Sequence, residues 1–415
     1  MPAPTQRSRL QALALTSLAH ATNDGMVIFV SFAADFLAQA RGAPPLEATA
    51  LLVLFNGASA VLSLVVGRWA DRSGRPGTLI GVGMGLLSAG LLGFYLALVY
   101  ADGLALIGAV VASSLLAGLG SAFYHPLGAT ILQSTYEDAT RGRALGANGS
   151  IGSVGRALYP SLFFLVPILA TDYDRFAVFA ALGFAVSGIL WAGLRGWRSP
   201  SRPRVEDPLP TQGGEHTLRS AATRGAVLLT VVVFVRSMAT QGIVSFLPIY
   251  ISHVQGAGLT SVLGDTVTTM YVPAIFGQPV FGWLVDRFDR RLVLGLSSLA
   301  SGMSILGYLF SGGWASLAFL ALFGLFTFSG FPLFLSLAAD YVPRDKASLG
   351  NAIVWGAGAS GGSVAGPLVA GAIIASNYAL LGLAFEVLAG VALVSAVGTA
   401  LLPRASTRRL PRGVD

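Results

Sequence analysis

The chain has 415 residues, of which 54% are hydrophobic and 11% charged, with a formal net charge of +7 and no cysteine. Soluble globular proteins carry roughly 25% charged residues, so the composition excludes an ordinary soluble domain, and the cysteine count excludes a disulfide framework or thiolate metal site. The positive charge does not indicate nucleic-acid binding, because the charges stand in short clusters between long apolar stretches.

A bilayer core takes about 20 apolar residues per helix. The first apolar stretch, 10–38, lacks a small-residue cleavage pattern and continues past Asp24 and Asp35, so it reads as a span and not as a cleaved signal. Further spans are expected over 46–68, 77–100, 104–133, 144–170 and 175–195. Residues 196–224 are polar and rich in proline and arginine, the composition of a linker. Six more spans follow over 225–252, 262–285, 292–311, 314–340, 347–375 and 379–402. The expected fold is an all-α membrane protein with twelve transmembrane helices in two six-helix bundles, residues 1–195 and 225–415, joined by the 196–224 linker. Abundant Gly, Ala and Ser suit close helix packing in lipid.

Basic residues orient the spans. With the N-terminus placed in the cytoplasm, all of the 26 Lys and Arg fall on the cytoplasmic side except Arg41, Arg175, Arg156 and Arg236. This is the asymmetry that the positive-inside rule demands, and it predicts cytoplasmic termini in a bacterial inner membrane.

Ionisable groups in the hydrocarbon are costly, which makes each a candidate functional residue. In the first span His20, Asn23 and Asp24 lie at i, i+3 and i+4 and share a face. Burial disfavours the charged form of a carboxylate, which suits Asp24 to loading and unloading a proton, with His20 tuning or sharing it. A structural hydrogen-bond network is the other reading of this group. In the fourth span His125 precedes Pro126, a pair that kinks a helix and sets the histidine on a cavity wall or between helices. In the fifth span Arg156 is placed near mid-depth, on a stripe with Asn148, Gly152, Tyr159 and Pro160. Arg236 is its counterpart in the seventh span. Two arginines facing a central cavity would clamp an anion through bidentate bonds; paired with Asp24 or Glu386 they would be buried structural ion pairs. Asn23, Tyr159, Gln241 and Trp355 are further candidate substrate contacts. Asp35, Asp265 and Asp340 fall near span ends and are expected to be solvated.

The halves repeat. The loop after the second span reads Gly67-Arg-Trp-Ala-Asp71-Arg72-Ser-Gly-Arg75-Pro, and that after the eighth reads Gly282-Trp-Leu-Val-Asp286-Arg287-Phe-Asp-Arg290-Arg. Glycine, aspartate and two arginines recur at equal spacing. Arg143-Ala-Leu-Gly146 likewise matches Lys346-Ala-Ser-Leu-Gly350 loosely. Both loops resemble the signature loop of the major facilitator superfamily, G-x-x-x-D-R-x-G-R-[KR]; the second copy has Asp289 where glycine is usual. The resemblance implies a gate role for Gly67, Asp71, Arg72 and Arg75 and for Gly282, Asp286, Arg287 and Arg290. Their aspartates would bond across the cytoplasmic face to helix N-termini or basic groups, with Glu137, Asp138 and Arg141 as partners; alternatively the loops only set topology. The resemblance also places the outer helices away from the cavity, so Glu386 ranks below Asp24 as a proton carrier. Gly358, Gly361, Gly362, Gly366, Pro367 and Gly371 resemble a glycine-proline motif that exporters of this superfamily carry in helix five. Helix five itself has the partial form Gly149, Gly152, Gly155 and Pro160, interrupted by Arg156, and tight packing is the alternative reading.

Short matches extend to exporters of the fosmidomycin-resistance type, which export a small phosphonate anion: the His20-Asn23-Asp24 group, His125-Pro126, and Arg236-Ser237 followed by Phe246-Leu247-Pro248. The function expected is a secondary transporter, first a proton-coupled antiporter exporting a small anionic or amphiphilic compound, and second a proton symporter importing an organic anion or metabolite. No P-loop, metal-ligand spacing or nucleophile elbow stands in the sequence, so neither an enzyme nor a bound cofactor or metal is expected. The expected partners are a small-molecule substrate, protons and the lipid bilayer, with no nucleic acid, and the chain is expected to be a monomer.

Overall fold

The computed structural model describes residues 6–167, 170–197, 216–341 and 353–404, and every regular element among them is helical. The first half consists of α1 (Gln6–Ala40), α2 (Pro45–Ser73), α3 (Pro76–Tyr100), α4 (Gly103–Ser121), α5 (Tyr124–Thr135), α6 (Asp138–Leu165) and α7 (Asp174–Leu194). The second half has α8 (His216–Ile249), which continues as a π-helical turn Tyr250–Val254, then α9 (Ser261–Arg287), α10 (Arg290–Phe310), α11 (Gly313–Phe328) and α12 (Phe331–Tyr341). A π-helical segment Ile353–Ser360 leads into α13 (Gly361–Ile374), and α14 (Leu381–Gly398) closes the bundle. Prolines begin α2 and α3, where a missing N–H loses no helical bond. Most of the expected 196–224 linker lies outside the described residues, as do Arg344, Lys346 and Gly350, and α8 begins inside the last part of that segment.

Two expected spans prove to be broken. Residues 104–133 form α4 and α5, interrupted at Ala122 and Phe123, and 314–340 form α11 and α12, interrupted at Ser329 and Gly330. Each break precedes a proline in the first turn of the second piece, Pro126 and Pro332. Proline lacks an N–H and crowds the preceding turn, so the ladder opens just ahead of it.

Helix packing repeats as the loops do. In the first half α3 packs on α4 and α7, α1 on α6, and α2 on α4; in the second, α10 packs on α11 and α14, α8 on α13, and α9 on α11. Glycines set the closest approaches. Gly155 lies on the backbone of Ala21, Gly362 on the carbonyl of Phe234, and Gly366 against Met238 and Gly242, with no room for a methyl group. The glycine-rich stretches of the fifth and eleventh spans therefore serve tight packing.

Nine helical segments among the described residues are long and apolar enough to cross a membrane. Of the expected spans, those over 144–170, 262–285 and 314–340 are not among them. The first two are α6 and α9, which pack against each other between the halves. Polar residues of the two helices bond across this contact: Ser161 of α6 bonds Asp265 and Thr268 of α9, and Gln278 donates to Ser153 Oγ at 3.0 Å. The third is the broken pair α11–α12.

The halves are pinned at the end remote from the chain termini. There the Tyr378 hydroxyl donates to the carbonyl of Ala43, Ser252 donates to Asp35, and Gly371 lies against Thr49. At the terminus end, Arg9 pairs with Glu137 inside the first half, and Arg290 with Asp340 inside the second at 2.7 Å.

Candidate functional site

α1 is buried on almost every side, and from it the polar centre is built. Asp24 sits on α1 with its side chain 3% exposed. Its Oδ2 accepts from Arg156 Nη2 of α6, and His20 Nε2, one turn earlier on α1, lies 3.3 Å from the same oxygen. His125 Nε2 lies 3.4 Å from Oδ1, which also accepts from Asn23 Nδ2 at 3.2 Å. The break before α5 places His125 in that helix's first turn, with its ring half-exposed. Gly152, without a side chain, leaves the space on α6 that the His20 ring fills.

His20 is held at its other nitrogen too. Nδ1 is 3.0 Å from the Asn148 carbonyl oxygen and 3.0 Å from Asn148 Oδ1. Asn148 Oδ1 accepts from the Tyr124 hydroxyl at 2.8 Å, while its Nδ2 donates to Thr16 and Ser17. Both ring nitrogens of His20 therefore face oxygen acceptors. A neutral imidazole has one N–H and satisfies only one of them; a protonated ring satisfies both. His20, Asp24 and His125 also bring three donor atoms within 4.8 Å of one another. That set would suit a divalent metal, but Arg156 already occupies the carboxylate and its charge opposes a second cation.

Arg156 belongs to the first half and reaches the second. Its guanidinium carbon lies 5.3 Å from the Phe328 ring centroid and 5.9 Å from that of Tyr271, at cation–π range. Around these groups is a cavity of about 270 Å³. Asp24, Asn56, His125 and Arg156 line it from one half, and Gln241, Ser245, Tyr271 and Phe328 from the other. The volume is just under the usual range for small-molecule pockets, roughly 300–1,000 Å³.

Of the residues singled out from sequence, the structure thus assembles His20, Asn23, Asp24, His125, Arg156 and Gln241. Four others lie elsewhere. Arg236 is buried inside the second half, where Nη1 donates to Ser298 Oγ and Nη2 to the Phe326 carbonyl, both at 2.6 Å. It neither lines the cavity nor pairs with Asp24 or Glu386. Tyr159 packs between α1 and α6, over Gly25 and beside Phe29. Trp355 packs on the apolar core of the second half, and Glu386 is exposed on the outer helix α14.

In the two loops, the exposure of Gly67 and the side chain of Asp71 lie outside what the structure describes, and Arg72, Arg75, Asp286 and Arg287 are exposed. Gly282 is half-buried, Arg287 stacks on Trp283, and Arg290 is tied to Asp340. Asp289, the departure from the usual glycine, caps α10 by accepting from Arg291 N at 3.0 Å. Its hydrogen bonds from the Arg291 side chain hold the carboxyl below the usual range.

Sequence reading missed Asn56, Ser245, Tyr271 and Phe328. Asn56, an amide in mid-span, carried a signal; two aromatics among many in apolar helices carried none. Asp35 was misplaced: it is wholly buried, not solvated.

A family model described as Major Facilitator Superfamily matches residues 13–264 and 260–413. No curated protein sequence matches the chain. Among solved structures, a bacterial homologue of the human lysosomal transporter Spinster, inward-facing and unoccupied, is 15% identical with a TM-score of 0.71 over 96% of each chain. A peptide transporter, POT, in complex with sulfate is 15% identical with a TM-score of 0.74 over 95% of this chain and 93% of its own. A mutant of the nucleoside transporter NupG is 12% identical with a TM-score of 0.71 over 95% of this chain and 99% of its own. At these identities the likeness shows the fold.

Proposed function

We propose that this chain, which belongs to the major facilitator superfamily and so is a membrane transporter and not an enzyme, moves a small organic anion together with a proton by alternating access. The observation that carries this reading is the Asp24–Arg156 pair on the cavity wall. Protonating Asp24 releases the guanidinium to take a carboxylate or phosphonate in two parallel hydrogen bonds. An anion on Arg156 in turn leaves Asp24 without its counter-charge and draws a proton to it. Proton and anion therefore assist each other, and the coupling is reciprocal, typically 5–150-fold. His20 and His125, both against Asp24, are the groups placed to hand that proton on.

The halves would rock about this cavity. With the termini in the cytoplasm, as the basic residues favour, the pinned end is the outer one, and the conformation is inward-facing, like that of the Spinster homologue.

This orders the two functional expectations anew. Antiport requires substrate and proton to exclude each other, whereas an anion at Arg156 recruits the proton. Efflux by antiport keeps the support of the short matches to phosphonate exporters, and would suit an amphiphile whose cationic group competes with the proton for Asp24. One experiment separates them. The protein is reconstituted into liposomes loaded with a pH dye, and a panel of carboxylates, phosphonates and cationic amphiphiles is added outside. Co-movement acidifies the lumen as an anion enters; exchange makes it alkaline. Asp24→Asn should abolish the pH change while passive counterflow of the substrate persists. Uptake without any pH change in the parent protein would remove proton coupling altogether.

A further inference from the structure

A second carboxylate on α1 is better placed to respond to protons at the pinned end. Asp35 is 0% exposed. Its Oδ1 accepts from Ser252 Oγ at 2.6 Å, across the boundary between the halves, and from Gln39 Nε2 at 3.3 Å. Its Oδ2 is buried without a hydrogen-bond partner among the described residues. The titratable and charged groups at this level include Arg41 just past the end of α1, Glu47 on α2, Asp102 before α4, Asp172 with Asp174 and Arg175 at the start of α7, His253 in the turn after α8, Asp265 on α9, and Tyr378 before α14. None is hydrogen-bonded to Asp35: Arg41 turns to Asp102 and the Leu98 carbonyl, Arg175 to Asp172, and Tyr378 to the Ala43 carbonyl, with its ring 5.4 Å from that of His253. An ionised carboxylate in such a place has a buried oxygen with no compensation, whereas a proton on Oδ2 removes the charge and leaves the Ser252 bond intact.

We propose that Asp35 is a proton-operated latch of the remote gate, protonated while Ser252 seals it and ionised once the gate opens and water reaches it. The closed state then binds one proton more than the open state. Raising the pH must favour opening, by at most about tenfold in the closed-to-open ratio per pH unit for one proton. The inference stands apart from the substrate and from any role of Asp24, since it needs only that the two halves separate at this end.

The chain has no cysteine, so an introduced pair is its only site for thiol labels. Leu46→Cys on α2 and Val262→Cys on α9 put spin labels on exposed positions, 71% and 57% accessible, in the two halves at the pinned end. Distance distributions are then measured by pulsed electron resonance in lipid nanodiscs from pH 5 to 9, without substrate. The short-distance population should shrink as the pH rises. Asp35→Asn, which keeps the shape of the side chain, should hold that population constant, and His253→Gln should leave the pH response in place. Ser252→Ala, outside α1, should lower the closed share at every pH. A parent protein that does not respond to pH overturns the proposal, as does a response that survives Asp35→Asn or vanishes in His253→Gln. An unchanged distribution in Ser252→Ala overturns it whether or not the Asp35 variant folds. Liposomes that show no proton movement, with the gate still responding to pH, would sink the co-transport reading and leave the latch standing.

Discussion

Asp24 and Asp35 are two buried carboxylates on one helix, eleven residues apart. At helical geometry that is about 16 Å along the axis and only about 20° around it, so both face the same way. Their surroundings differ in kind. Asp24 has a guanidinium, two imidazoles and an amide; Asp35 has a hydroxyl, an amide and an oxygen with no partner among the described residues. The first is the anion of an ion pair beside a cavity and changes state when something takes its arginine. The second has no counter-charge among the described residues and, as proposed, changes state when water arrives. On the proposed readings, carboxylates on one face of one helix take separate tasks, binding at the centre and sealing at the end, and the residues across from them decide which.

The largest effect expected from breaking this contrast comes from Arg156→Gln. It leaves Asp24 with two imidazoles and an amide but without the guanidinium that carries its counter-charge, and removing one partner of a buried pair typically destabilises by about 3–5 kcal/mol. The melting temperature in detergent should fall markedly, and Asp24→Asn added to the same chain should restore part of it, because the sites share one interaction. A double variant no better than Arg156→Gln would show that the charge of Asp24 was not what the arginine compensated. A smaller effect is expected from Gly155→Ala. The new methyl group meets the backbone of Ala21 and must push α6 from α1, at a cost of about 1–3 kcal/mol. Because Arg156 is the next residue, substrate binding should weaken as well, while the pH response at Asp35 stays as it is. Equal damage to both readouts would mean that α1 moves as a whole and that the two carboxylates are not independent.

Much of this was legible in the chain. Nine of the twelve expected spans and the repeated loop come from hydropathy and spacing, and the His20-Asn23-Asp24 face comes from helical period. Arg236 shows how little separates a right depth from a right direction. On α8 the cavity is lined by Gln241, Val244 and Ser245, at the i, i+3, i+4 spacing of one face. Arg236 is five residues before Gln241, about 140° round the helix, and so points into its own bundle. Hydropathy gives depth, but only knowledge of the neighbouring helix gives the face. Asp35 failed for a similar reason. Near a span end a carboxylate is expected to reach water, and what keeps this one dry is Ser252, 217 residues further along the chain. The Tyr271 and Phe328 rings over Arg156 are equally long-range, since nothing local marks two aromatics out of the 24 Phe and 11 Tyr of the sequence.

The smallest expected effect is the one that sharpens the contrast most. Asp265 of α9 makes the same kind of bond between the halves as Asp35, accepting from Ser161 Oγ at 2.6 Å near the same end. The difference is that Asp265 is exposed. Water can solvate its carboxylate whether the gate is closed or open, so closing it involves little desolvation and little change in proton affinity. Surface substitutions of this sort usually stay within about 0.5 kcal/mol. Asp265→Asn, in the spin-labelled chain, should therefore leave both the melting temperature and the pH dependence of the distance distribution close to those of the parent protein. If Asp265→Asn flattened that dependence as Asp35→Asn is expected to, a hydroxyl–carboxylate bond between the halves would be sufficient for proton sensing and burial would not be the deciding variable. If it leaves the dependence intact, two carboxylates with matching partners and matching distances differ in function only through their access to water.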